Sequence, residues 1–443
     1  MTNVPIPFPA HYPKTSAFEE LARSAGIDNA NPYGREVAKT LADIGSRLVP
    51  LRNTHLSLAL PDGLKGMDEV LIHPAHVRQL KAPVHLSEMP ASVPHTARTG
   101  FTPDYKVLSI SDGYLYTSAH FPVIIDSTGS SIITGYSSEF APLVYYYEDD
   151  VSDALGKARY IDGTVFVMFD DIAPLNYCHW IVDGLPRLTA LGFSARRSDC
   201  YVAAAAIETA WQIETLKLCG FDENRIIGLD NFSAVQARQL MVPSHLALSQ
   251  IPHPAFKGAP WALAYLRSTL GYGSRSQATR AVRRQSARKL YISRRDAAGR
   301  RILNEDSFYA VLRNWGYQRI CLGGLSVADQ IALFASASHI IGIHGAGLTN
   351  IVFAETGCKI LEIFPVTYGT PAYYILAAAQ ELPYYTYVTS DVRPGNHPTF
   401  DDIVVEIDHF MTRCADLMGA DVPTASSRPT GTQRRGKKRH GKD

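Results

Sequence analysis

Residues 340–350 read Ile-Ile-Gly-Ile-His-Gly-Ala-Gly-Leu-Thr-Asn. The first four form an apolar run of the kind that a strand buried on both faces requires. The chain then breaks into a glycine-rich turn and continues into a helix predicted over 348–353. A strand, a glycine turn and a helix in that order offer free backbone N–H groups to an anion, and the helix dipole adds about half a positive charge at the same mouth. Glycine at 345 and 347 lets the main chain approach a ligand closely. The candidate anion-binding residues are therefore His344, Gly345, Ala346, Gly347, Leu348, Thr349 and Asn350. Tight strand–helix turns also use glycine for steric reasons alone, so the turn acquires meaning only from its surroundings.

Those surroundings alternate. Strands are predicted at 289–293, 319–321, 339–343 and 359–364, with helices at 306–315 and 327–336 between them. This pattern predicts a parallel sheet covered by helices, a nucleotide-binding type of α/β domain. A helix near 261–270 introduces it, after a Pro/Gly-punctuated stretch at 252–260. Upstream, strands at 106–117, 122–125 and 131–136 flank Asp126-Ser-Thr-Gly129, which reads as a hairpin turn. A strand at 163–169, a helix at 176–191, a strand at 201–206, a helix at 210–219 and a strand at 225–229 then predict a second set of βα units with a parallel sheet.

Composition sets the outer limits. A chain of 443 residues exceeds one ordinary core, and 46% hydrophobic with 19% charged residues describes a folded globular protein. The formal charge is +1, but from Arg428 to Asp443 there are seven basic residues against one acidic, leaving 36 basic and 41 acidic elsewhere. A mildly acidic body argues against a nucleic-acid binder. The basic tail reads as a solubilising extension or as a weak contact with anionic lipid. Six cysteines without a C-x-x-C pair suggest neither a zinc framework nor a disulfide scaffold. No leader-like N-terminus and no membrane-spanning run is visible, so a cytoplasmic protein, peripheral at the inner membrane face if the tail binds lipid, is the expectation.

The chemistry-bearing residues fall in three places. Arg294 and Arg295 follow the strand at 289–293, at the carboxyl edge where ligands bind in open α/β sheets, and paired guanidiniums suit a diphosphate. Asn304 is placed to cap the next helix, with Glu305 and Asp306 in its first turn. Glu362 interrupts an otherwise apolar strand, which suits either a ribose diol or a salt bridge to a neighbouring arginine. In the first half, Asn-Tyr-Cys-His-Trp-Ile-Val-Asp-Gly-Leu-Pro-Arg at 176–187 sets His179, Asp183 and Arg187 at i, i+4 spacing on an apolar helix. His179 and Asp183 form either an acid/base pair or a structural hydrogen bond, and Pro186 is expected to kink the helix near Arg187.

Taken in order, residues 176–187, Ser293–Arg295 with Asn304 and Glu305, Leu-Ser-Val-Ala-Asp-Gln-Ile-Ala-Leu-Phe-Ala-Ser-Ala at 325–337, and residues 344–350 followed by Leu361 and Glu362 resemble glycosyltransferase family 61. That group includes plant xylan-decorating enzymes, animal O-linked N-acetylglucosamine transferases and bacterial capsule-type proteins. The resemblance covers roughly residues 163–365. It implies a GT-B arrangement of two Rossmann-like domains facing each other across a cleft, and inverting, metal-independent transfer from a nucleotide sugar, UDP type, to a glycan acceptor in surface or capsular polysaccharide synthesis. No further cofactor is expected. Arg294, Arg295, Arg187, Asn304, Glu305 and the turn would hold the donor, Glu362 the ribose, and Asp183, with His179 as partner, would be the favoured base. The expected organisation is a poorly defined extension at 1–100, an acceptor-side domain at 101–255, a nucleotide-sugar domain at 256–420 and a disordered tail at 421–443. A dinucleotide-dependent oxidoreductase and a catalytically silent sugar-binding protein are the alternatives; G-x-G-x-x-G is absent.

Overall fold

A computed structural model of the chain describes residues 57–59, 66–88, 99–102, 104–118, 121–133, 136–137, 148–168, 176–205, 207–230, 232–244, 258–277, 289–393 and 400–418. The expected junction in the 250s and the basic tail lie outside the described residues.

The second sheet is parallel throughout, in the order Gln318–Cys321, Lys289–Ser293, His339–Ile343, Lys359–Pro365, Tyr384–Thr389, with Val84–His85 at its edge. The chain enters at Lys289–Ser293, runs to one edge, then crosses back and builds toward the other. The reversal falls between Lys289–Ser293 and His339–Ile343. That is the topological switch point, where strand ends splay and leave a crevice. Leu290, Ile292, Ile340 and Ile360 face one core with Val327, Phe334 and Leu376. Tyr291, Ile341, Ile343, Leu361 and Ile363 face another with Phe308, Leu312 and Phe410. Burial on both faces is why these strands read as continuous apolar runs.

The first sheet is mixed: the strands expected from the βα units are parallel, and the expected hairpin adds antiparallel strands. Among the described residues it has nine strands; Ala234–Pro243, Arg159–Val167, Cys200–Ala205 and Ile226–Leu229 are mutually parallel, and Ser57–Ala59 pairs parallel with Ser131–Ile133. Tyr105–Ser118, Phe121–Ile125 and Ser131–Ile133 are antiparallel, and Met67–His73 also pairs antiparallel with Tyr105–Ser118. The cause is local, because connections this short can only reverse the chain. At the predicted hairpin turn, Asp126 Oδ1 accepts from Ser130 N at 2.9 Å and Ser131 N at 3.0 Å, and Gly129 takes φ 73. Ala234–Pro243, the strand joining the two kinds of pairing, was not expected. A bulge between Ala237 and Gln239 exposes Arg238 and Gln239 together, so the alternation Val235, Ala237, Leu240, Val242 loses its phase.

The two sheets share one packed seam. Phe166, Trp180 and Val202 from the first half, Leu266 and Leu270 from helix Pro260–Gln277, and Phe334, Ile351 and Tyr374 from the second belong to a single core. Polar clasps cross the same seam. Glu214 accepts from Val327 N and Ala328 N, each at 2.9 Å, capping helix Val327–Ser336 from the opposite half. Part of the N-terminal region is threaded into both sheets, through Ser57–Ala59 and Val84–His85. Among the described residues no helix is long and apolar enough to cross a membrane.

Candidate active site

Arg294 leaves the end of strand Lys289–Ser293 and lies against the glycine turn. A Cβ on Gly345 would stand 2.2 Å from Arg294 Nη1, so only glycine leaves room for the guanidinium there. Arg294 Nε and Nη2 both donate to the Gly299 carbonyl, at 3.3 and 3.1 Å. Burial, followed by the nearby Arg300, pulls its pKa down to about 10, which still leaves it charged at neutral pH. The two strand ends that flank the switch point therefore carry one guanidinium and one glycine turn, in contact.

His344 opens the turn and is buried. Its Nδ1 lies 2.5 Å from Glu362 Oε1, and Glu362, 0% exposed, also accepts from the Tyr384 hydroxyl through Oε2. Glu362 is thus held by His344 and Tyr384. Its strand position puts it inside the sheet's face, where His344 and Tyr384 satisfy it. The His344 ring stacks on Phe364 at 5.1 Å and meets Tyr368 and Tyr373 at 5.4 and 5.2 Å. Burial, then Arg300 and Arg294, hold its pKa well below the ordinary imidazole range. The imidazole is held neutral, with the Glu362 carboxylate bonded to it and two guanidiniums acting on it.

Several predicted residues are used elsewhere. Arg295, next to Arg294 in sequence, turns away: its Nε donates to Glu305 Oε2 at 2.8 Å and its Nη2 to Asp306 Oδ1 at 2.9 Å. Glu305 is buried and also accepts from Tyr291 and Ser293, tying the strand end to the helix that follows. Asn304 does not cap that helix through its side chain. Its amide instead forms a reciprocal pair with the Val405 backbone, at 2.8 and 3.0 Å. The turn continues as the 3-10 helix Ala346–Phe353, in which Leu348, Thr349 and Asn350 are buried. Asn350 spans the seam, donating to Gln330 Oε1 and accepting from the Tyr177 hydroxyl at 2.8 Å. Gly347 packs against Leu322 and Ile292. The ligand-facing part of the turn thus contracts to its first residues, beside Arg294.

The helix expected over 176–191 is three pieces. Asn176 caps an α turn, Tyr177–His179, by accepting from Cys178 N and His179 N. A π turn, Trp180–Gly184, follows, with Leu185 N–H reaching back to the Trp180 carbonyl, and then the 3-10 segment Leu185–Arg196. Pro186 has no N–H to continue an α ladder, and the widened turn sits just before it. His179 Nδ1 lies 2.8 Å from Asp183 Oδ2 across this turn. Their side chains are 22% and 3% exposed, so the imidazole is the accessible member. Arg187 does not continue the stripe. It is 1% exposed, its Nε donates to the Asp183 carbonyl at 2.9 Å, and its own carbonyl accepts from Tyr105 at 2.5 Å.

The helix and the turn belong to one site region. Tyr177 bonds Asn350, and Cys178 lies close enough to Tyr373 to disfavour its ionised phenol, after burial itself. Tyr373 meets the His344 ring from the other side. Arg300, Tyr368, Tyr373 and Tyr384 complete the turn side, and none was singled out in the sequence as a site residue. Arg300 has a backbone φ of 54°, which no composition or spacing displays.

Residues 177–361 match the family model Glycosyltransferase 61. Over that segment the chain is similar to glycosyltransferase family 61. The segment holds His179, Asp183, Arg294 and His344, so the helix side and the turn side both lie within it. A beta-1,2-xylosyltransferase of Oryza sativa subsp. japonica is 28% identical over 119 residues, 25% of this chain and 22% of that protein. An EGF domain-specific O-linked N-acetylglucosamine transferase of Drosophila melanogaster is 32% identical over 171 residues, 34% of this chain and 32% of that protein. A beta-1,2-xylosyltransferase of Arabidopsis thaliana is 33% identical over 98 residues, 19% and 18% of the two chains. The chain therefore spans a third or less of the length of these curated relatives.

Proposed function

We propose that this protein is an inverting, metal-independent glycosyltransferase that moves a sugar from a UDP-type nucleotide sugar to a glycan acceptor, in a GT-B arrangement. The observation that carries the reading is Arg294 held against Gly345 at the switch point of a parallel sheet, a cationic seat where such sheets bind nucleotides. Arg294 and the turn neutralise the diphosphate as it leaves. The acceptor oxygen forms its bond to the anomeric carbon, the carbon–oxygen bond to the diphosphate breaks, and the electron pair goes to the diphosphate. The acceptor proton goes to His179 Nε2. Asp183 receives the Nδ1–H bond and so sets the tautomer that leaves Nε2 with its lone pair. Burial thus exchanges the two roles relative to the sequence expectation, with His179 as base and Asp183 as its orienting partner. On this reading the acceptor is a surface or capsular glycan, and the protein works in the cytoplasm at the inner membrane face.

Thermal melting against UDP, CDP and NAD tests the donor site, since a ligand that binds only the folded state raises its stability. UDP should raise the midpoint and NAD should not. Stabilisation by NAD with no response to UDP would replace this reading by the dinucleotide one.

A further inference from the structure

Arg300 is held in a conformation that its side chain does not favour. Its φ of 54° lies in the left-handed region, where an arginine persists only if its surroundings fix it. They do fix it. The preceding Gly299 has no room for a Cβ, which would stand 2.8 Å from the Phe400 carbonyl, and Arg300 N donates to that same carbonyl at 3.4 Å. The result is a guanidinium set 5.4 Å over the Tyr368 ring, which itself meets His344 edge-on. Arg300 Nε is buried without a hydrogen-bond partner among the described residues, and Arg300 makes no ion pair among them. Two carboxylates that act on Arg294 are also bonded to other groups: Asp402 to Arg301 at 2.6 Å, and Asp296 to Gly323 N at 3.2 Å. Two guanidiniums thus stand close enough to repel, around a neutral imidazole, with a buried donor unsatisfied. Desolvated like charges and an orphaned N–H are both costly, and one ligand removes both costs: an anion carrying at least two charges.

We infer that Arg300 is the second phosphate-reading residue of the site, pairing with Arg294 so that a nucleoside diphosphate is preferred over a monophosphate. This rests on the nucleotide-sugar reading above. Arg294, bonded to Gly299 and seated on the turn, takes one phosphoryl group; Arg300, free of an ion pair among the described residues, takes the other.

Arg300→Gly separates this role from a structural one. Glycine adopts φ 54° without strain, so if Arg300 serves the ligand, its removal leaves the melting midpoint unchanged or raised. If Arg300 serves only its stack on Tyr368, the midpoint falls. Calorimetric titration of wild type and variant with UDP and with UMP supplies the second readout. UDP affinity should fall about 10- to 100-fold, the range for hydrogen bonds to charged groups, while UMP affinity changes less than about threefold. Arg300→Lys should recover part of the loss, as a point charge without the fork. If UDP binds and its preference over UMP is the same in Arg300→Gly, the inference is wrong and the donor-site reading stands. If UDP does not bind the wild-type protein, both fall.

Discussion

On the turn side of the site, Arg294 and His344 follow the ends of two parallel strands, and Arg300, from the loop after the first of them, acts on both. On the helix side, a half-accessible histidine is matched to a buried aspartate across a π turn. The first arrangement has an excess of positive charge and little freedom to move it. The second is a balanced pair whose accessible member can take up a proton. Rigid, unneutralised charge suits a group that must be held, and a matched pair suits a group that must exchange a proton. On the proposed function the two sides divide binding from proton transfer, and that division can be broken experimentally.

The largest effect is expected from His179→Ala. Removal of a positioned base lowers turnover by about 10²- to 10⁴-fold. Release of UDP from a UDP-sugar measures turnover, and titration with UDP measures affinity. Turnover should collapse with the affinity unchanged. A parallel loss of affinity would show that the helix side also holds the donor, and the division would fail.

Gly345→Ala acts on the other side alone. Gly345 has φ 164, extended backbone that alanine adopts, so the fold should survive. The new Cβ would stand 2.2 Å from Arg294 Nη1, and the guanidinium, as the end of a flexible chain, is what moves. UDP affinity should then drop about tenfold, roughly 1.4 kcal/mol, with the melting midpoint nearly constant. An unchanged UDP affinity would mean that the turn does not set the position of Arg294.

The same contrast explains what could be read in the sequence. The inner strands of the second sheet were legible because they are buried on both faces; Lys289–Ser293, His339–Ile343 and Lys359–Pro365 fall where the pattern puts them, whereas Tyr384–Thr389 and the exposed edge pair Val84–His85 were not expected. The hairpin at Asp126 was legible for the same local reason. What could not be read depends on direction. Arg294 and Arg295 are adjacent and identical in type, yet one meets the turn and the other meets Glu305, because consecutive residues leaving a strand point opposite ways. Glu362 was correctly singled out as costly, but its partners, His344 and Tyr384, come from two other strand ends or strands whose register no spacing specifies. Arg300 depends on a single dihedral, and Ala234–Pro243 on a single bulge.

The smallest expected effect concerns pH, and it sharpens the turn side of the comparison through His344. His344 is kept neutral by burial and then by Arg300 and Arg294. A histidine whose folded pKa lies below its unfolded value, about 6.5, binds fewer protons folded than unfolded over the intervening range. Its stabilisation is complete above about pH 6.5 and is lost as the pH falls, by up to about 1.4 kcal/mol per unit for each such group. His339 adds to the same trend down to about 4, where burial and the two lysines beside it, Lys289 and Lys359, set its folded pKa. Chemical denaturation at a series of pH values should therefore show wild-type stability declining from about pH 6.5 downward. His344→Gln should flatten that decline. If the variant keeps the wild-type slope, His344 is not held neutral by its surroundings, and the turn side carries less fixed positive charge than its geometry requires.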